Sequence, residues 1–350
     1  MAQFHSLKIK SILRQTDKSV SITFEVPTNL KSEYVFTAGQ YITLKTVIDG
    51  IEVRRDYSLS SNPQSESLTV TVKEIENGVF SSYANTQLKS GDVLEVGTPN
   101  GRFIYDPKTE AANTIVAFAA GSGITPIMSI ARTVLETKAG SSFVLVYGNK
   151  SPKQTIFYDD ILKLQTVHNN RFRVQFVYSE TDEDGALFGR IDSGNVNYIL
   201  KNIVSIDSSQ IFYLCGPEGM INAVNSVLEE KGVEASKILF ELFTASTVKS
   251  TTNSIGDGKS NITILVDEEE STLEMSQKQT ILEAALDNDL DVPYSCQGGV
   301  CSSCICRVTE GSASMRQNNV LTDNEVAEGL VLSCQAEPTS TTIKVDFDDI

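Results

Sequence analysis

The 350-residue sequence has little histidine and no long apolar run. Its two histidines, His5 and His168, lie outside any motif, so triad hydrolysis and histidine acid–base chemistry have little support. No segment approaches the roughly 20 apolar residues that a membrane-spanning helix needs. The first residues, MAQFHSLKIK, lack the apolar core and cleavage site of an export signal. We therefore expect a cytoplasmic protein with no membrane attachment.

Positive charge is also scarce. The chain has 29 Lys+Arg against 45 Asp+Glu, a net charge of −16, and residues 261–350 hold 17 of the acidic residues but only four of the basic ones. Nucleic-acid binding depends on Lys and Arg that neutralise phosphates, so we expect no nucleic-acid partner. An acidic C-terminal segment can steer a basic protein partner, although solubility explains the charge equally well.

Four of the six cysteines are spaced as a ligand set. Cys296, Cys301, Cys304 and Cys334 follow the pattern C-x4-C-x2-C, with 29 residues before the last, in the run PYSCQGGVCSSC. This is the ligand spacing of a plant-type [2Fe–2S] ferredoxin. Structural zinc sites usually pair two short cysteine knuckles, and disulfide frameworks belong to short secreted chains. The pattern therefore favours an iron–sulfur cluster and electron transfer, while Cys306 is expected to be a buried apolar residue.

The chain separates into three segments by pattern. Residues 1–108 contain short alternating runs typical of a small antiparallel barrel or sandwich. Residues 112–244 alternate apolar strands with helical stretches, which indicates a parallel sheet covered on both faces. Residues 245–260 are rich in Ser, Thr and Gly and are expected to form a flexible linker of about 20–24 Å root-mean-square span. Residues 261–350 predict a small mixed sheet with one packed helix.

Two glycine-bearing loops follow strands of the predicted parallel sheet. Gly121 and Gly123 come between a strand and a helix, and Cys215, Gly216 and Pro217 follow a later strand. Glycines allow the backbone to approach a phosphate or a nicotinamide ring, and ligands bind at the carboxyl ends of strands in such sheets. The two loops together predict a nucleotide pocket.

The predicted barrel carries its own candidate site. Arg55 suits a pyrophosphate, Tyr57 lies on the same strand face and can stack on a flat ring, and Ser58 offers a hydroxyl. Gly78 and Ser81 begin a predicted helix, which also suits a phosphate. Taken alone, the RDYS run is better explained as an ordinary β-strand with a cross-strand pair.

The chain resembles the ferredoxin–NADP⁺ reductase superfamily in the order of four runs, RxYS, GxxS, GSGITP and CGP. With the plant-type cysteine module that follows them, it resembles the reductases of oxygenase systems. The resemblance implies an FAD-binding antiparallel β-barrel, an NAD(P)-binding α/β domain and an α+β (β-grasp) ferredoxin domain. It further implies that Arg55 contacts the flavin pyrophosphate, that Tyr57 stacks on the isoalloxazine and that Ser58 lies near N5. The other flavin positions that it implies are Val72 and Lys73 beside the ribityl chain and Gly78, Phe80 and Ser81 around the pyrophosphate.

The resemblance also implies a nicotinamide site. Phe243 matches the aromatic residue that covers the flavin, although an ordinary apolar strand residue explains it equally well. Ser58, Thr125, Cys215 and Phe243 are the catalytic residues that it implies. The residues expected to line the nicotinamide pocket are Gly121, Gly123, Thr125, Pro126, Cys215, Gly216 and Pro217.

The choice of nicotinamide depends on the run YSETDEDG. Ser179 is retained, but Glu180 stands where the NADPH-dependent relatives carry arginine, and residues 182–184 add three carboxylates. These would repel a 2′-phosphate, whereas a carboxylate can accept a hydrogen bond from a ribose 2′-hydroxyl. We expect NADH to be preferred, with Arg190 as the nearby cation that would offset some of this charge.

Together these patterns predict an NAD(P)H-dependent flavin and iron–sulfur reductase that passes electrons to the oxygenase component of a multicomponent system. Cofactors carry the redox chemistry, and the protein positions them. Three alternatives stay open: an acceptor that is a different hydroxylase or a desaturase, FMN in place of FAD, and a redox sensor without turnover.

Overall fold

The structure, a computed structural model, describes residues 3–110, 113–204, 206–207, 209–243 and 258–350. These residues group into two compact units, one spanning Phe4–Phe243 and one C-terminal. Most of the predicted linker, residues 245–257, lies outside the described residues. The first strand of the C-terminal unit begins at Lys259, so it includes the last two residues of the predicted linker.

The first sheet is a curled antiparallel sheet of six strands. Its strands are β1 Phe4–Thr16, β2 Ser19–Glu25, β3 Tyr41–Ile48, β4 Ile51–Ser58, β5 Leu68–Lys73 and β6 Val93–Gly97, in the order β4-β3-β6-β1-β2-β5. A bridge between Leu59 and Val70 joins the end of β4 to β5, which brings the two edges together as in a barrel. Helix α1, Val79–Thr86, follows β5.

The period-2 pattern explains these strands. In β1, Leu7 and Ile9 are fully buried while Lys8 and Lys10 are exposed, which leaves one face for the barrel core. The β3–β4 hairpin turns at Asp49 and Gly50, both with positive φ, as the favoured two-residue turn requires.

The second sheet is parallel. Its strands are β7 Thr114–Ala120, β8 Ser142–Asn149, β9 Phe172–Tyr178, β10 Leu187–Phe188, β11 Gln210–Cys215 and β12 Ile238–Glu241, in the order β10-β9-β8-β7-β11-β12. Its helices are α2 Ile124–Thr137, α3 Tyr158–Val167, α4 Ser193–Asn202 and α5 Glu218–Glu230. Residues 115–119 of β7 are all fully buried, so helices and loops cover both faces of this strand. The strand order reverses between β7 and β11, and such a switch point opens a crevice at the carboxyl ends.

Helix α4 was not predicted from the sequence. Its start, Ser193-Gly194-Asn195, has low helix propensity and is typical of a loop. The Asp192 side chain caps the helix by accepting a hydrogen bond from the Asn195 amide at 2.9 Å, and Val196 and Ile199 are buried. Tertiary packing and the cap therefore outweigh composition here.

The C-terminal unit is a mixed sheet with one packed helix, as predicted. Its main-sheet strands are β13 Lys259–Val266, β14 Glu269–Ser276, β15 Ile305–Glu310, β17 Leu330–Leu332 and β19 Thr342–Asp346, in the order β14-β13-β19-β15-β17. Strands β16 Ala313–Met315 and β18 Ala336–Pro338 form a separate pair, and the helices are α6 Ile281–Asp287 and α7 Asp323–Ala327. The three-residue strands β16, β17 and β18 are too short to show a period and escaped prediction. Among the described residues, no helix of the protein has the length and apolarity to cross a bilayer.

Candidate functional site

The two predicted glycine loops touch each other at the switch point. A Cβ atom at Gly123 would lie 2.1 Å from the carbonyl oxygen of Cys215 and 2.9 Å from the amide nitrogen of Gly216. A Cβ atom at Gly216 would lie 2.7 Å from Cε of Met220 and 3.2 Å from Cβ of Ala120. Only glycine fits either position without a shift of backbone or side chain, so the two loops form one surface at the carboxyl ends of β7 and β11.

A barrel lysine reaches the first of these loops. The Nζ atom of Lys73 lies 3.2 Å from where a Cβ atom of Gly121 would stand, and Gly121 has φ +56°. Burial lowers the pKa of Lys73, and the charges of Lys150 and Lys18 lower it further. A cation near the start of α2 suits an anionic ligand such as a dinucleotide phosphate.

Thr125 and Pro126 lie in the first turn of α2 and are buried. The Thr125 hydroxyl donates a hydrogen bond to the carbonyl oxygen of Ser122 at 3.0 Å. This bond fixes the turn between Gly121 and α2. The structure thus gives Thr125 a local role in shaping the loop.

A buried carboxyl that the sequence reasoning missed joins this site. Glu241 in β12 is the direct partner of Cys215 in β11, and the Ser58 side chain hydrogen-bonds to its carboxyl group. Burial raises the pKa of Glu241 to about 8; the charge of Asp56 raises it too, and the Ser58 bond opposes the shift. Its Oε2 atom is buried without a hydrogen-bond partner among the described residues. The sequence signal for this residue is that Glu241 is the single acid within the apolar run ILFELF. A carboxyl enclosed among apolar residues has a perturbed pKa, which makes it a candidate functional group.

The same carboxyl acts on Cys215, which is fully buried. Burial raises the pKa of this thiol well above its usual value, and the nearby charge of Glu241 adds to the shift. Cys215 therefore stays a neutral thiol rather than a thiolate nucleophile. Three polar groups thus lie together where the barrel meets the parallel sheet: the hydroxyl of Ser58, the thiol of Cys215 and the titratable carboxyl of Glu241.

The RDYS run divides its side chains between the two faces of β4. Arg55 is exposed, and its Nη1 atom donates to the carbonyl oxygen of Arg54 at 2.6 Å. Tyr57 packs against Phe80, with ring centroids 5.4 Å apart, and burial raises its pKa. Asp56 lies on the opposite face, where it accepts a hydrogen bond from Thr43 at 2.6 Å. Arg55 and Tyr57 thus share one face, as the alternation predicts.

The predicted pyrophosphate residues lie at the start of α1. The Ser81 hydroxyl accepts a hydrogen bond from the Ile75 amide at 3.2 Å and donates one to the Gly78 carbonyl at 3.3 Å. Phe80 is a core residue. Val72 is fully buried as well, so only its backbone can meet a ligand. The Ser81 hydroxyl therefore orders the loop, and the backbone amides of the α1 N-terminus are the groups left for a phosphate.

The predicted ribose residues follow β9. The amides of Ser179 and Glu180 donate to the carbonyls of Asn149 and Lys150, both at 3.0 Å. The Glu180 carboxylate forms an ion pair with Lys150 at 2.9 Å. Asp182, Glu183 and Asp184 are exposed, and so is Arg190. Lys150 is thus the cation that faces Glu180, a neighbour that the sequence did not reveal.

Phe243 is the last described residue of the first unit, and its side chain is 37% exposed. It follows Glu241 by two residues. A partly exposed aromatic ring next to this site agrees with the cover that the resemblance implies, and it equally agrees with an edge residue.

In the C-terminal unit, the four cysteines form two pairs. The pKa of Cys296 is lowered to about 6, chiefly by a hydrogen bond with Cys301 and further by the amides of Gly298, Val300 and Cys301. A hydrogen bond between Cys304 and Cys334 raises the pKa of Cys304 and lowers that of Cys334. Cys306 is fully buried in the core, as expected, with its pKa raised by burial.

Two pairs of thiols suit a binuclear cluster, in which each iron takes two cysteine ligands. Among the described residues, no group of three or more His, Cys, Asp or Glu side chains surrounds a single point as it would around a lone metal ion. The Gly298 amide donates to Sγ of Cys296 at 3.3 Å. The hydroxyls of Ser295 and Ser333, each next to a paired cysteine, are buried and have no hydrogen-bond partner within the part of the chain that the structure describes. These amides and orphaned hydroxyls would face cluster sulfurs, so the residues fit a [2Fe–2S] group.

The fold and sites define a class of protein: a redox protein with a flavin barrel, a nucleotide sheet and an iron–sulfur module in one chain. The sequence matches the oxidoreductase FAD-binding domain over residues 7–105, the oxidoreductase NAD-binding domain over 118–226 and the 2Fe-2S iron-sulfur cluster binding domain over 264–339.

Relatives of known activity align over almost the whole chain. The chain is 36% identical to one of the subunits of 1,2-phenylacetyl-CoA epoxidase from Escherichia coli, over 99% of each protein. It is 30% identical to the ferredoxin reductase component of 3-ketosteroid-9-alpha-monooxygenase from Rhodococcus rhodochrous, over 97% of this chain and 96% of that one. The solved structure of phthalate dioxygenase reductase superposes with a TM-score of 0.62 at 25% identity, covering 98% of both chains.

The chain belongs to the ferredoxin reductase-type family of flavin- and nicotinamide-dependent reductases that carry a C-terminal [2Fe–2S] domain. Its predicted fold class and FAD, NAD(P)H and [2Fe–2S] cofactors are confirmed. It is an oxidoreductase. Its relatives include the ferredoxin reductase component of a monooxygenase and the reductase of a dioxygenase.

Proposed function

We propose that this reductase takes electrons from NADH and delivers them to the oxygenase component of a phenylacetyl-CoA epoxidase-type system. Its support is the 36% identity to a component of that epoxidase over 99% of both chains. When bound, flavin would supply hydride acceptance and a [2Fe–2S] cluster would supply single-electron transfer, so the chain would convert a two-electron donor into a one-electron source.

The residues at the switch point would position the reacting nicotinamide. The contact of Gly123 with Cys215 leaves a surface without side chains at the ends of β7 and β11. A flat ring can approach the backbone there, with Gly121, Gly216 and Pro217 at its rim. Thr125 and Pro126 would hold the loop in place from below.

Around the flavin, Tyr57, which packs against the buried ring of Phe80, would provide the stacking surface. Arg55 would bind the pyrophosphate from the same face of β4. Phe243 would cover the opposite side. Ser58 would present its hydroxyl towards the flavin N5 edge while it holds the Glu241 carboxyl. With a pKa of about 8, Glu241 can carry or release a proton near neutral pH.

The four cysteines would be the cluster ligands, with Cys296 and Cys301 on one iron and Cys304 and Cys334 on the other. The acceptor would meet a strongly acidic module, since residues 261–350 hold 17 acidic and four basic residues. We expect a basic docking surface on the oxygenase, and a slower association as ionic strength rises.

The test is reconstitution with candidate acceptors. The purified holoenzyme is combined with NADH and either a phenylacetyl-CoA epoxidase oxygenase complex or a 3-ketosteroid oxygenase, and product is measured with each substrate. The proposal expects coupled epoxidation with the first acceptor at a rate at least tenfold above the second. The ketosteroid oxygenase is the alternative acceptor because this chain is 30% identical to the reductase of such a system. Equal or higher turnover with that oxygenase would assign a different hydroxylase as the partner.

A further inference from the structure

We propose that Gln335 is a positioning residue for the iron–sulfur cluster. Its side chain holds the Cys296–Cys301 loop against Cys334 and donates a hydrogen bond to the Cys334 thiolate. Through that bond it raises the reduction potential of the cluster. The inference rests on the proposed role of the four cysteines as cluster ligands and assigns a further residue to that site.

Gln335 contacts both ligand-bearing segments with one amide group. Its Nε2 atom lies 3.0 Å from the carbonyl oxygen of Gln297, in the loop between Cys296 and Cys301. The same atom lies 3.7 Å from Sγ of Cys334, its neighbour in sequence. Both neighbours are acceptors, so the NH₂ side of the amide must face them. The two N–H bonds of one amide thus join the first ligand loop to the fourth ligand.

The environment of Gln335 shows that this contact is built into the fold. The side chain is only 9% exposed, unusual for glutamine. Its backbone is fixed by the Leu332 carbonyl, which accepts from the Gln335 amide at 2.8 Å, and by the Arg316 amide, which donates to the Gln335 carbonyl at 2.9 Å. A buried amide held by its backbone on both sides loses little further entropy when it binds the loop.

Gly299 leaves room for the side chain. A Cβ atom there would lie 3.0 Å from Cγ of Gln335 and 3.1 Å from the carbonyl oxygen of Gln317, and φ is +67°. The loop residue that accepts the hydrogen bond, Gln297, is itself left-handed at φ +53°, a conformation that non-glycine residues seldom adopt. A loop in this conformation needs an external restraint, and the Gln335 amide supplies one.

The hydrogen bond to Cys334 has an electronic consequence. Reduction adds one negative charge to the cluster and its thiolates, and a donor to a ligand sulfur stabilises the reduced form more than the oxidised form. Loss of the donor therefore lowers the potential. Loss of the bond to Gln297 frees the loop and speeds the release of iron.

The test compares Gln335→Met with Gln279→Met in the full-length holoenzyme. Methionine keeps the length and apolar stem of glutamine but cannot donate. Gln279 lies in the same module, and its Nε2 atom donates to the Asp287 carboxylate at 2.6 Å, away from the cysteines. Cluster potential is measured by anaerobic redox titration followed by the electron paramagnetic resonance signal, with the flavin potential as an internal reference.

We expect Gln335→Met to lower the ratio of reduced to oxidised cluster at a fixed ambient potential about threefold and to speed iron release to a chelator. Gln279→Met and the flavin potential should be unchanged. An unchanged cluster potential in a fully loaded Gln335→Met protein overturns the proposal. If the wild-type protein takes up no cluster, the proposed function fails instead.

A measurement on the wild-type protein covers the case in which Gln335→Met does not load. Glutamine side-chain amides are labelled with ¹⁵N, and the reduced cluster is studied by pulsed electron paramagnetic resonance. A ¹⁵N hyperfine coupling from a side-chain amide is expected, because an N–H···S bond transfers spin density to the nitrogen. Absence of any such coupling overturns the hydrogen bond.

Discussion

Glu241 lies directly beside Cys215, as its partner across strands β12 and β11. The carboxyl is buried and has a pKa of about 8, while the thiol stays protonated. A titratable group at a position fixed by strand pairing is well placed to hold a proton next to the loops proposed to bind nicotinamide.

Replacement of Glu241 by glutamine should stabilise the protein most at high pH. Below pH 4.5 the carboxyl is protonated in both the folded and the unfolded state. Between pH 4.5 and 8 it ionises only in the unfolded state. The raised pKa therefore lowers the free energy of unfolding as the pH rises. Glu241→Gln avoids this loss. We expect little change in the unfolding temperature at pH 4.5 and a gain of about 3 kcal/mol or more in unfolding free energy at pH 8.

Thermal unfolding across this pH range checks the prediction, with Glu234→Gln at an exposed position as the control. A stability difference that stays constant with pH would contradict the raised pKa of Glu241.

Replacement of Ser58 by alanine should move the pH dependence of flavin reduction to higher pH. The Ser58 hydrogen bond lowers the pKa of Glu241, so its loss raises that pKa further. Stopped-flow reduction by NADH between pH 6 and 10 measures the shift. Ser60→Ala is the matched control, since the Ser60 hydroxyl bonds to Thr69 and Thr71 instead. A shift in the opposite direction would disprove the assigned role of the Ser58 bond.

Replacement of Gly123 by alanine should abolish productive nicotinamide binding. The new Cβ atom would stand 2.1 Å from the Cys215 carbonyl oxygen, so the two loops must separate. We expect the kcat/KM for NADH to fall at least about 100-fold, because small displacements of a positioned reactant are costly. Gly219→Ala, in the first turn of α5 with open space around its Cβ position, should retain full activity. Flavin reduction at the normal rate in Gly123→Ala would refute the proposed pocket.

Replacement of Glu180 by glutamine should improve the use of NADPH. The substitution leaves the Lys150 charge available to a 2′-phosphate, since the 2.9 Å ion pair is lost. We expect wild-type protein to prefer NADH and the variant to gain about tenfold in kcat/KM for NADPH relative to NADH. Asp184→Asn, at an exposed position, is the comparison for general loss of negative charge. The idea fails if wild-type protein has the higher kcat/KM with NADPH.

Replacement of Cys296 by alanine should prevent assembly of the [2Fe–2S] cluster, whereas Cys306→Ala should leave it intact. Cys306 is buried in the core and outside both cysteine pairs, so its loss costs only packing, about 1 kcal/mol. Iron and sulfide content, with the visible absorption of the cluster, distinguishes the two proteins. Equal loss of iron in both would mean that Cys306 is a ligand.

Long periodic segments were predictable from the sequence. The alternation of Leu7 and Ile9 with lysines marks β1, and the apolar run 115–119 marks a strand buried on both faces. The short strands β16, β17 and β18 and helix α4 were not predictable, because their formation depends on partners far away in the chain.

The site, like the fold, has features that the sequence predicts and others that depend on tertiary contacts. Spacing alone predicts Cys296, Cys301, Cys304 and Cys334 as the cluster ligands, because the first three follow the short C-x4-C-x2-C pattern typical of such clusters. The hydroxyls of Thr125 and Ser81 looked like ligand groups in sequence, yet the structure uses both in local hydrogen bonds. A sequence motif shows which residue types are present but not which neighbour takes up their hydrogen bonds.

The sequence by itself determined the class of this protein. Local motifs and the spacing of the cysteines indicate a reductase that uses flavin, nicotinamide and an iron–sulfur cluster. The tertiary structure alone decided that Glu241 pairs with Cys215 and Ser58, that Lys150 faces Glu180 and that Gln335 joins two cysteine segments. The physical reason is that these contacts link residues distant in sequence, and burial and charge depend on what the fold brings together.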